Sequence, residues 1–504
     1  MALNSTETKM SGAPEGARTP GSQRFILSSI GWRRLAERIA RRAERRVPAY
    51  QEFVAQRGKP RAFTDRPLTS KDLYILRFPT AQLLADNHPE VFAIFRSSGA
   101  SGRALYWPCL RSHDRYAAWG ARRFLESCFA IHRKRTLAIV ADSLGSWVGG
   151  DQISWLLKSA ALRARYSFSV FAPGNKDTEI IDIINEVEPR VDLIILYLCP
   201  TYIRYLQLRA ESLGKTLPLS KLRYMVLGES IPERLRMSLQ ARAGVPPQEP
   251  FMFSFYASAD TGILGTESPA SVALRKLLTL NEGLAAELGF SEPVPHLFHY
   301  CAPDAYLETI DGELCVTRWQ GIPIVRYNLH DRVRLYRWRT LRGAVLKSNL
   351  IQTSDEPLRE VVRKSRMILT DLIAVEGRND ALILEGSNYS ESMLDEVVRT
   401  TALESVLTGM YKARLGSRDG QQVLEFELEL RPGVTLDAEA VDRVYDELIQ
   451  ALCRVQAEFR NAWEDVYRAF DRDPSRRILQ LQWHPWTVLS REVEALPKRS
   501  SIQR

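Results

Sequence analysis

Val191-Asp192-Leu193-Ile194-Ile195-Leu196-Tyr197-Leu198-Cys199 is the stretch that decides how this chain folds. It is far shorter than the roughly 18–20 residues of a membrane-spanning helix. It is apolar without strict alternation, as expected of a strand buried on both faces of a parallel sheet. Working outward, Leu137–Ala141, Phe168–Phe171 and Tyr224–Leu227 read as further strands. Between them, Gln152–Ala164, Thr178–Val187 and Tyr202–Leu213 carry helical spacing. Strands alternating with helical crossovers predict a mostly parallel sheet covered on both faces. Ligands of such sheets bind beyond the carboxyl ends of the strands, so the chemistry is expected in the loops that follow them.

The pattern changes along the chain. After about residue 295 shorter strands appear at Leu307–Ile310, Leu314–Thr317 and Val333–Leu335. After about 380 the order becomes strand Leu382–Leu384, helix Glu391–Thr401, strand Ser405–Lys412, strand Val423–Leu430, helix Ala438–Glu458 and strand Ile478–Trp483. That is the βαββαβ order of a small two-layer α+β domain. At the other end, residues 1–22 are rich in Ser, Thr, Gly, Pro and Ala and are expected to be a disordered tail. Trp32–Val47 places Trp32, Leu35, Ala36, Ile39, Ala40, Ala43 and Val47 on one helical face with arginines between them. Its small apolar residues read as a packed surface helix rather than a membrane or nucleic-acid contact.

Composition excludes several classes. The 504 residues are 45% hydrophobic and 26% charged, as in an ordinary globular protein of two to four domains. The formal charge is +9, and residues 1–50 hold ten Lys or Arg against four Asp or Glu, which is +6 of it. A basic surface spread over the molecule, as for nucleic acid, is not implied. Six cysteines occur with no CxxC spacing, which fits a reducing cytoplasm better than a disulfide framework or zinc ribbon. Met1–Gln23 lacks the apolar core of a signal peptide.

Candidate chemistry begins after strand Val91–Phe95, at Arg96-Ser97-Ser98-Gly99-Ala100-Ser101-Gly102-Arg103. Small residues let the backbone approach an anion, and hydroxyls and N–H groups can wrap phosphate oxygens. Such a loop serves either as a phosphate cradle or as a plain turn. GxxxxGK[ST], GxGxxG and a strand-borne GxSxG are absent. Further segments stand out: Gly228-Glu229, Tyr256-Ala257-Ser258-Ala259-Asp260, Arg326-Tyr327-Asn328-Leu329-His330-Asp331 and Gly377-Arg378-Asn379-Asp380. His296-x-x-His299-x-Cys301 reads as structural, because alternation on a strand sends His296 to one face and His299 and Cys301 to the other.

In this order and spacing the set resembles the adenylate-forming superfamily of acyl-CoA synthetases, and most of all its phenylacetate–CoA ligase branch. Ser97–Gly102 is similar to that family's phosphate loop, Tyr256–Asp260 to its Tyr-Gly-x-Thr-Glu motif, Arg326–Asp331 to Arg-Tyr-Arg-Thr-Gly-Asp, and Gly377–Asp380 to the Gly-Arg-x-Asp hinge. Phe53, Pro67-Leu68-Thr69 and Lys71 resemble the branch's N-terminal segment, so the likeness spans about residues 48–400. It implies an α/β fold with a large N-terminal domain, its mostly parallel sheets covered by helices, a β-rich subdomain, and a small mobile α+β C-terminal domain. The corresponding boundaries are 23–377 for the core and 378–504 for the C-terminal domain.

The resemblance also implies roles. Ser97, Ser98, Gly99, Ser101 and Gly102 would cradle the ATP phosphates. Gly228, Glu229 and Tyr256 would line the nucleotide and acyl pocket. Asp260, standing where the family has Glu, would meet Mg²⁺, a hard cation that takes oxygen ligands, through a bridging water. Asp331 would accept from the ribose hydroxyls. Arg378 would support the nucleotide, and Asp380 would be the pivot of the small domain. The family's C-terminal Gly-Lys is missing, and Lys498 is the best substitute for its lysine; Ala257 and His330 also replace family glycines. The implied activity is ATP-dependent, AMP-forming activation of a carboxylic acid, aryl or arylacetic, followed by transfer to a thiol, with CoA as the expected acceptor. An amine, a carrier protein, or a catalytically silent binding homologue are the alternatives.

Overall fold

The computed structural model describes residues 30–58, 60–85, 90–96, 105–146, 148–227, 231, 233–290, 294–365, 370–378, 381–384, 387–418, 421–486 and 488–489. Residues 1–22, expected to be a disordered tail, lie outside the described residues. An 11-stranded sheet forms the centre. Phe168–Phe171, Thr136–Val140, Leu193–Leu198, Leu222–Val226 and Met252–Ser258 lie side by side in parallel. Beyond Met252–Ser258 every pairing is antiparallel, through Gly262–Thr266, His296–Tyr300, Leu372–Arg378, Ile324–Tyr336, Glu313–Arg318 and Ala305–Ile310. The sequence pattern separated these later strands from the parallel run; in three dimensions they extend the same sheet.

The parallel half is buried on both faces, as its unbroken apolar runs require. Ala138, Val140, Ile195, Tyr197 and Met225 pack under helices Arg111–Phe129 and Val148–Leu162. The intervening residues Ile139, Ile194, Leu196, Tyr224 and Val226 pack on the other side, under Asp177–Val187, Pro200–Ser212 and Glu233–Arg242. At the amino ends of two neighbouring strands, Arg135 meets Asp192 through Nη2–Oδ1 at 2.7 Å and Nε–Oδ2 at 3.1 Å. The Arg135 backbone N–H also donates to Asp192 Oδ2 at 2.9 Å.

The basic helix forms as expected, over Ile30–Arg46. Its alanine face, Ala36, Ala40 and Ala43, is fully buried against the antiparallel half of the sheet. Arg42 lies over the Trp319 ring at 3.7 Å. The following segment is held by main-chain bonds: Thr69 N–H donates to Arg326 O at 3.1 Å and Asn328 N–H to Thr69 O at 2.7 Å. Arg326 is buried, with its Nε donating to Glu308 at 2.9 Å and Nη1 to Thr64 O at 2.8 Å. The first arginine of the Arg-Tyr-Arg-like motif therefore clamps the N-terminal segment.

Among the described residues, the strand at Val91–Arg96 pairs with Tyr106–Leu110 alone, outside the large sheet. Toward the C-terminus, Leu407–Arg418 and Gln421–Leu430 are antiparallel, and Leu479–His484 adds in parallel. The first strand of the expected βαββαβ set, Ala381–Leu384, instead folds back on Ser387–Ser390 as a separate hairpin, a local pairing available because its partner begins so soon after it. The last expected helix is broken at Gln456, whose extended backbone separates Ala438–Val455 from Ala457–Asp465.

The two halves of the large sheet are joined by a buried ionic cluster. Glu267 Oε2 accepts from the Ser254 N–H on Met252–Ser258 at 2.8 Å, and Oε1 accepts from Arg236 at 2.8 Å. Arg275 donates to Glu233 at 3.2 Å and to Ile231 O at 3.0 Å. His296 Nε2 accepts from the Ile231 N–H at 3.1 Å, so its proton sits on Nδ1, 3.5 Å from Glu267. Burial, with Arg275 beside it, pulls the imidazole down to about 4 and keeps it neutral. Burial alone would raise the Glu267 carboxyl, but Arg236 and His296 outweigh it and hold the group well below the carboxylate range. Removing one partner of a buried pair leaves the other charge uncompensated. Glu267→Gln should therefore lower the unfolding free energy by about 3–5 kcal/mol in urea titrations. A loss under about 1 kcal/mol would mean that the cluster is dispensable.

Candidate active site

The carboxyl ends of the parallel strands open into a cavity of about 1520 Å³. Asp142, Asn175, Cys199, Leu227 and Asp260, each following one of the five strands, all line it. This is where a parallel sheet places its ligand. Asn461, Ala462, Val466 and Tyr467 from the C-terminal region close another wall.

Two tyrosine–carboxylate pairs face this space. Tyr256 Oη donates to Asp331 Oδ2 at 2.5 Å, and the Tyr256 ring stacks on Phe298 with centroids 5.6 Å apart. Tyr327 Oη donates to Asp260 Oδ2, and Gln320 Nε2 donates to the Asp260 backbone oxygen. The turn carrying Asp260 is fixed from both sides. Ser258 Oγ accepts from the Thr261 N–H at 3.2 Å, and Arg318, itself paired with Asp304 at 2.8 and 3.0 Å, donates to Thr261 O at 2.6 Å. Asp331 stands opposite Arg378 in the antiparallel ladder. His330, at a left-handed φ of 61°, sits on the rim with Nδ1 3.3 Å from Glu313.

A second pair of carboxylates lies at the other side of the cavity. Asp142 ends the Thr136–Val140 strand segment, and its Oδ1 accepts from the Ser143 N–H at 2.7 Å. Its Oδ2 lies against the first turn of Val148–Leu162, where a Cβ added to Gly149 would come within 2.6 Å of it. At Gly150 a Cβ would come within 2.3 Å of the Ser143 carbonyl, so this turn requires two glycines. One turn further on, Gln152 Nε2 donates to Asp114 Oδ1 at 2.9 Å. Asp114 is only 3% exposed, and its Oδ2 has no hydrogen-bond partner. Burial pushes both carboxyl groups up to about 6. Burial likewise pushes the neighbouring Cys109 thiol up to about 12, so it stays protonated.

No protein-family model and no curated protein matches the sequence. Among solved structures, the chain is similar to 2-hydroxyisobutyryl-CoA ligase in complex with 2-HIB-AMP and CoA in the thioesterification state. The TM-score is 0.56, with 13% identity, over 93% of this chain and 94% of that one. An open conformation of the same ligase with 2-HIB-AMP and CoA gives 0.50 and 13%, over 94% and 90%. This chain shares the fold of that ligase.

Within that fold, three of the residues singled out in the sequence, Tyr256, Asp260 and Asp331, converge on the cavity. The backbone of Arg378 joins them through its pairing with Asp331. Ser97, Ser98, Gly99, Ser101, Gly102, Gly228, Glu229, Asp380 and Lys498 lie outside the described residues. The hairpin strands flanking the Ser/Gly loop are described, and Arg96 lines the cavity. His296 and His299 are used structurally: His296 enters the ionic cluster and His299 Nδ1 faces Thr370 O at 3.2 Å. Sequence reading missed Asp114, Asp142 and Gln320, and quoted Tyr327 within its motif without giving it a role. Asp142 could have been found, since it directly follows the Leu137–Ala141 strand and precedes a Gly-Gly pair opening a helix.

The raised Asp114 carboxyl sets a pH dependence. In the folded chain it is pushed up to about 6, above the 3.8 of an ordinary aspartate. The folded chain therefore holds the proton more firmly than the unfolded chain, and this contribution to stability is lost as pH rises from about 4 through 6. Asp114→Asn mimics the protonated form and removes that loss. It should raise the melting temperature by about 2–4 °C at pH 7.5 and leave it nearly unchanged at pH 4. An equal or lower melting temperature at pH 7.5 would show that the charge is not costly there.

Proposed function

We propose that this protein uses ATP to activate a carboxylic acid as an acyl-adenylate and passes the acyl group to a thiol, with CoA as the acceptor. The observation that carries this reading is the placement of the Tyr256–Asp331 and Tyr327–Asp260 pairs around one cavity at the carboxyl ends of the sheet. In support, the ligase of similar fold is described in complex with 2-HIB-AMP and CoA.

In the first half-reaction the acid's carboxylate attacks the α-phosphorus of ATP, an acyl–phosphate bond forms, and pyrophosphate leaves. Asp331, held by the Tyr256 hydroxyl, accepts hydrogen bonds from the ribose hydroxyls. Ser97, Ser98, Ser101 and the glycines among them hold the phosphates, and Gly228 and Glu229 border the base. Asp260 fits a Mg²⁺ contact, because Tyr327 occupies one carboxylate oxygen and the other remains as a hard donor. A Mg²⁺ ion there supplies neutralisation of phosphate charge. These residues contribute chiefly position and pre-set charge. In the second half-reaction the thiol sulfur loses its proton, bonds to the acyl carbon and expels AMP. The Arg378–Asp380 segment is the proposed hinge between the two, joining a core of 23–377 to a C-terminal domain of 378–504. The acid is proposed to be aryl or arylacetic.

Pyrophosphate release measured over a panel of acids, with and without CoA, tests the reading. Release with an aryl acid, and an acyl-CoA product only when CoA is present, is expected; no release with any acid and ATP would sink it. Asp331→Ala should raise the KM for ATP by about 10-fold or more, since each charge-assisted bond is worth roughly 1.5–3 kcal/mol. A wild-type KM would remove Asp331 from the ribose site. Lys498→Ala should slow adenylation by about 10²–10³ while sparing transfer from a supplied acyl-adenylate, because a cation at the α-phosphate acts mainly in the first transition state. Equal slowing of both steps would point to general damage instead.

A further inference from the structure

We propose that the Asp114–Asp142 side of the cavity is a subsite for a hydrogen-bond donor on the acid, so that the preferred substrate has an apolar body carrying an amine or hydroxyl away from its carboxylate. This rests on the acid-activating reading above and narrows it.

Both carboxylates meet the same helix. Asp142 Oδ2 lies at Gly149 and Gln152 bonds Asp114, and positions three apart on a helix face the same way, about 5–6 Å apart. Both aspartates line the cavity. Asp114 Oδ2 is buried without a partner, although buried polar oxygens are nearly always paired. A carboxylate is an acceptor only, so what it lacks is a donor. A substrate N–H or O–H would satisfy it, and a protonated amine would also offset the buried charge. Gly149 lets the helix start approach the Asp142 carboxylate, and Gly150 lets it approach the Ser143 carbonyl, so this turn sets where Asp142 sits.

The surroundings define the rest of the ligand. Phe124, Ile153, Leu157, Tyr197 and Phe255 also line the cavity and suit an apolar or aromatic body. The geometry orients it as well. Tyr106–Leu110, which leads into Asp114, packs on Gly321, where a Cβ would clash with the Pro108 carbonyl at 1.8 Å. Gln320, beside that glycine, is the residue that holds Asp260. A molecule with its carboxylate near Asp260 thus reaches Asp114 along one wall. Asp142 lies farther off, three strand spacings along the sheet, roughly 14 Å.

Calorimetric titration of the whole protein with phenylacetate, 4-hydroxyphenylacetate and 4-(aminomethyl)phenylacetate tests this, using wild type, Asp114→Asn and Asp142→Asn. The wild type should bind at least one donor-bearing acid about 10-fold more tightly than phenylacetate, the factor expected of one charge-assisted bond. Asp114→Asn should bring that preference within about threefold, leaving ATP affinity unchanged, and Asp142→Asn should reduce it. The amine and hydroxyl arms tell which donor is preferred. Equal or weaker binding of both donor-bearing acids, or no binding of either, overturns the proposal. So does a preference that survives both substitutions, or a loss of affinity for ATP rather than acid. Pyrophosphate release with the same acids is read separately: donor-selective binding without release leaves the subsite standing and rejects the acid-activating reading.

Discussion

The carboxylate of Glu267 is the point on which the rest of the structure depends. It directly follows the first antiparallel strand and takes its hydrogen bond from Ser254, inside the strand where the sheet changes from parallel to antiparallel. Through Arg236 and His296 it is tied to the helix after Leu222–Val226 and to the next antiparallel strand. Hydrophobic burial can hold two sheets' worth of strands together but has no direction. A charged group with several fixed donors does, and it sets how the two halves meet. The Asp260 turn, four residues past Tyr256 on the same switch strand, inherits its position from that joint.

The parallel half was legible in the sequence because both faces are apolar, so Val191–Leu198 and its neighbours announced themselves as strands with helices between them. The antiparallel half was legible strand by strand but not as a continuation of the same sheet. Pairing between His296–Tyr300 and Leu372–Arg378 spans some seventy residues of chain and leaves no local signal. The displaced hairpin at Ala381–Leu384 was missed for the opposite reason: a neighbouring strand competed successfully with a distant sheet. At the site, Asp260 and Asp331 were found through motif spacing. Their tyrosine partners were quoted within the same motifs, but the crossing of the pairs, Tyr256 to Asp331 and Tyr327 to Asp260, exists only in three dimensions. Asp114 was invisible because nothing near it in sequence marks a helix-start aspartate as buried.

The cavity separates two kinds of acidic group. Asp260 and Asp331 are each held by a tyrosine hydroxyl, which fixes the carboxylate's direction. Asp114 and Asp142 sit where burial disfavours their charge, and one oxygen of Asp114 is left without a donor. Groups kept in such surroundings detract from folding stability, which is the usual signature of residues retained for what they bind.

The doubly buried strands have one more consequence. Register in a half-buried strand is set by polarity, since a one-residue slip would turn the apolar face to water. Leu193–Leu198 is buried on both faces, so the same slip would exchange one set of aliphatic side chains for another at little hydrophobic cost. The exposed pair of Arg135 and Asp192, at the starts of two neighbouring parallel strands, supplies the missing alignment. An ion pair in water adds little to stability. Here it serves as an index mark, distinguishing one alignment of the two strands from nearly equivalent ones.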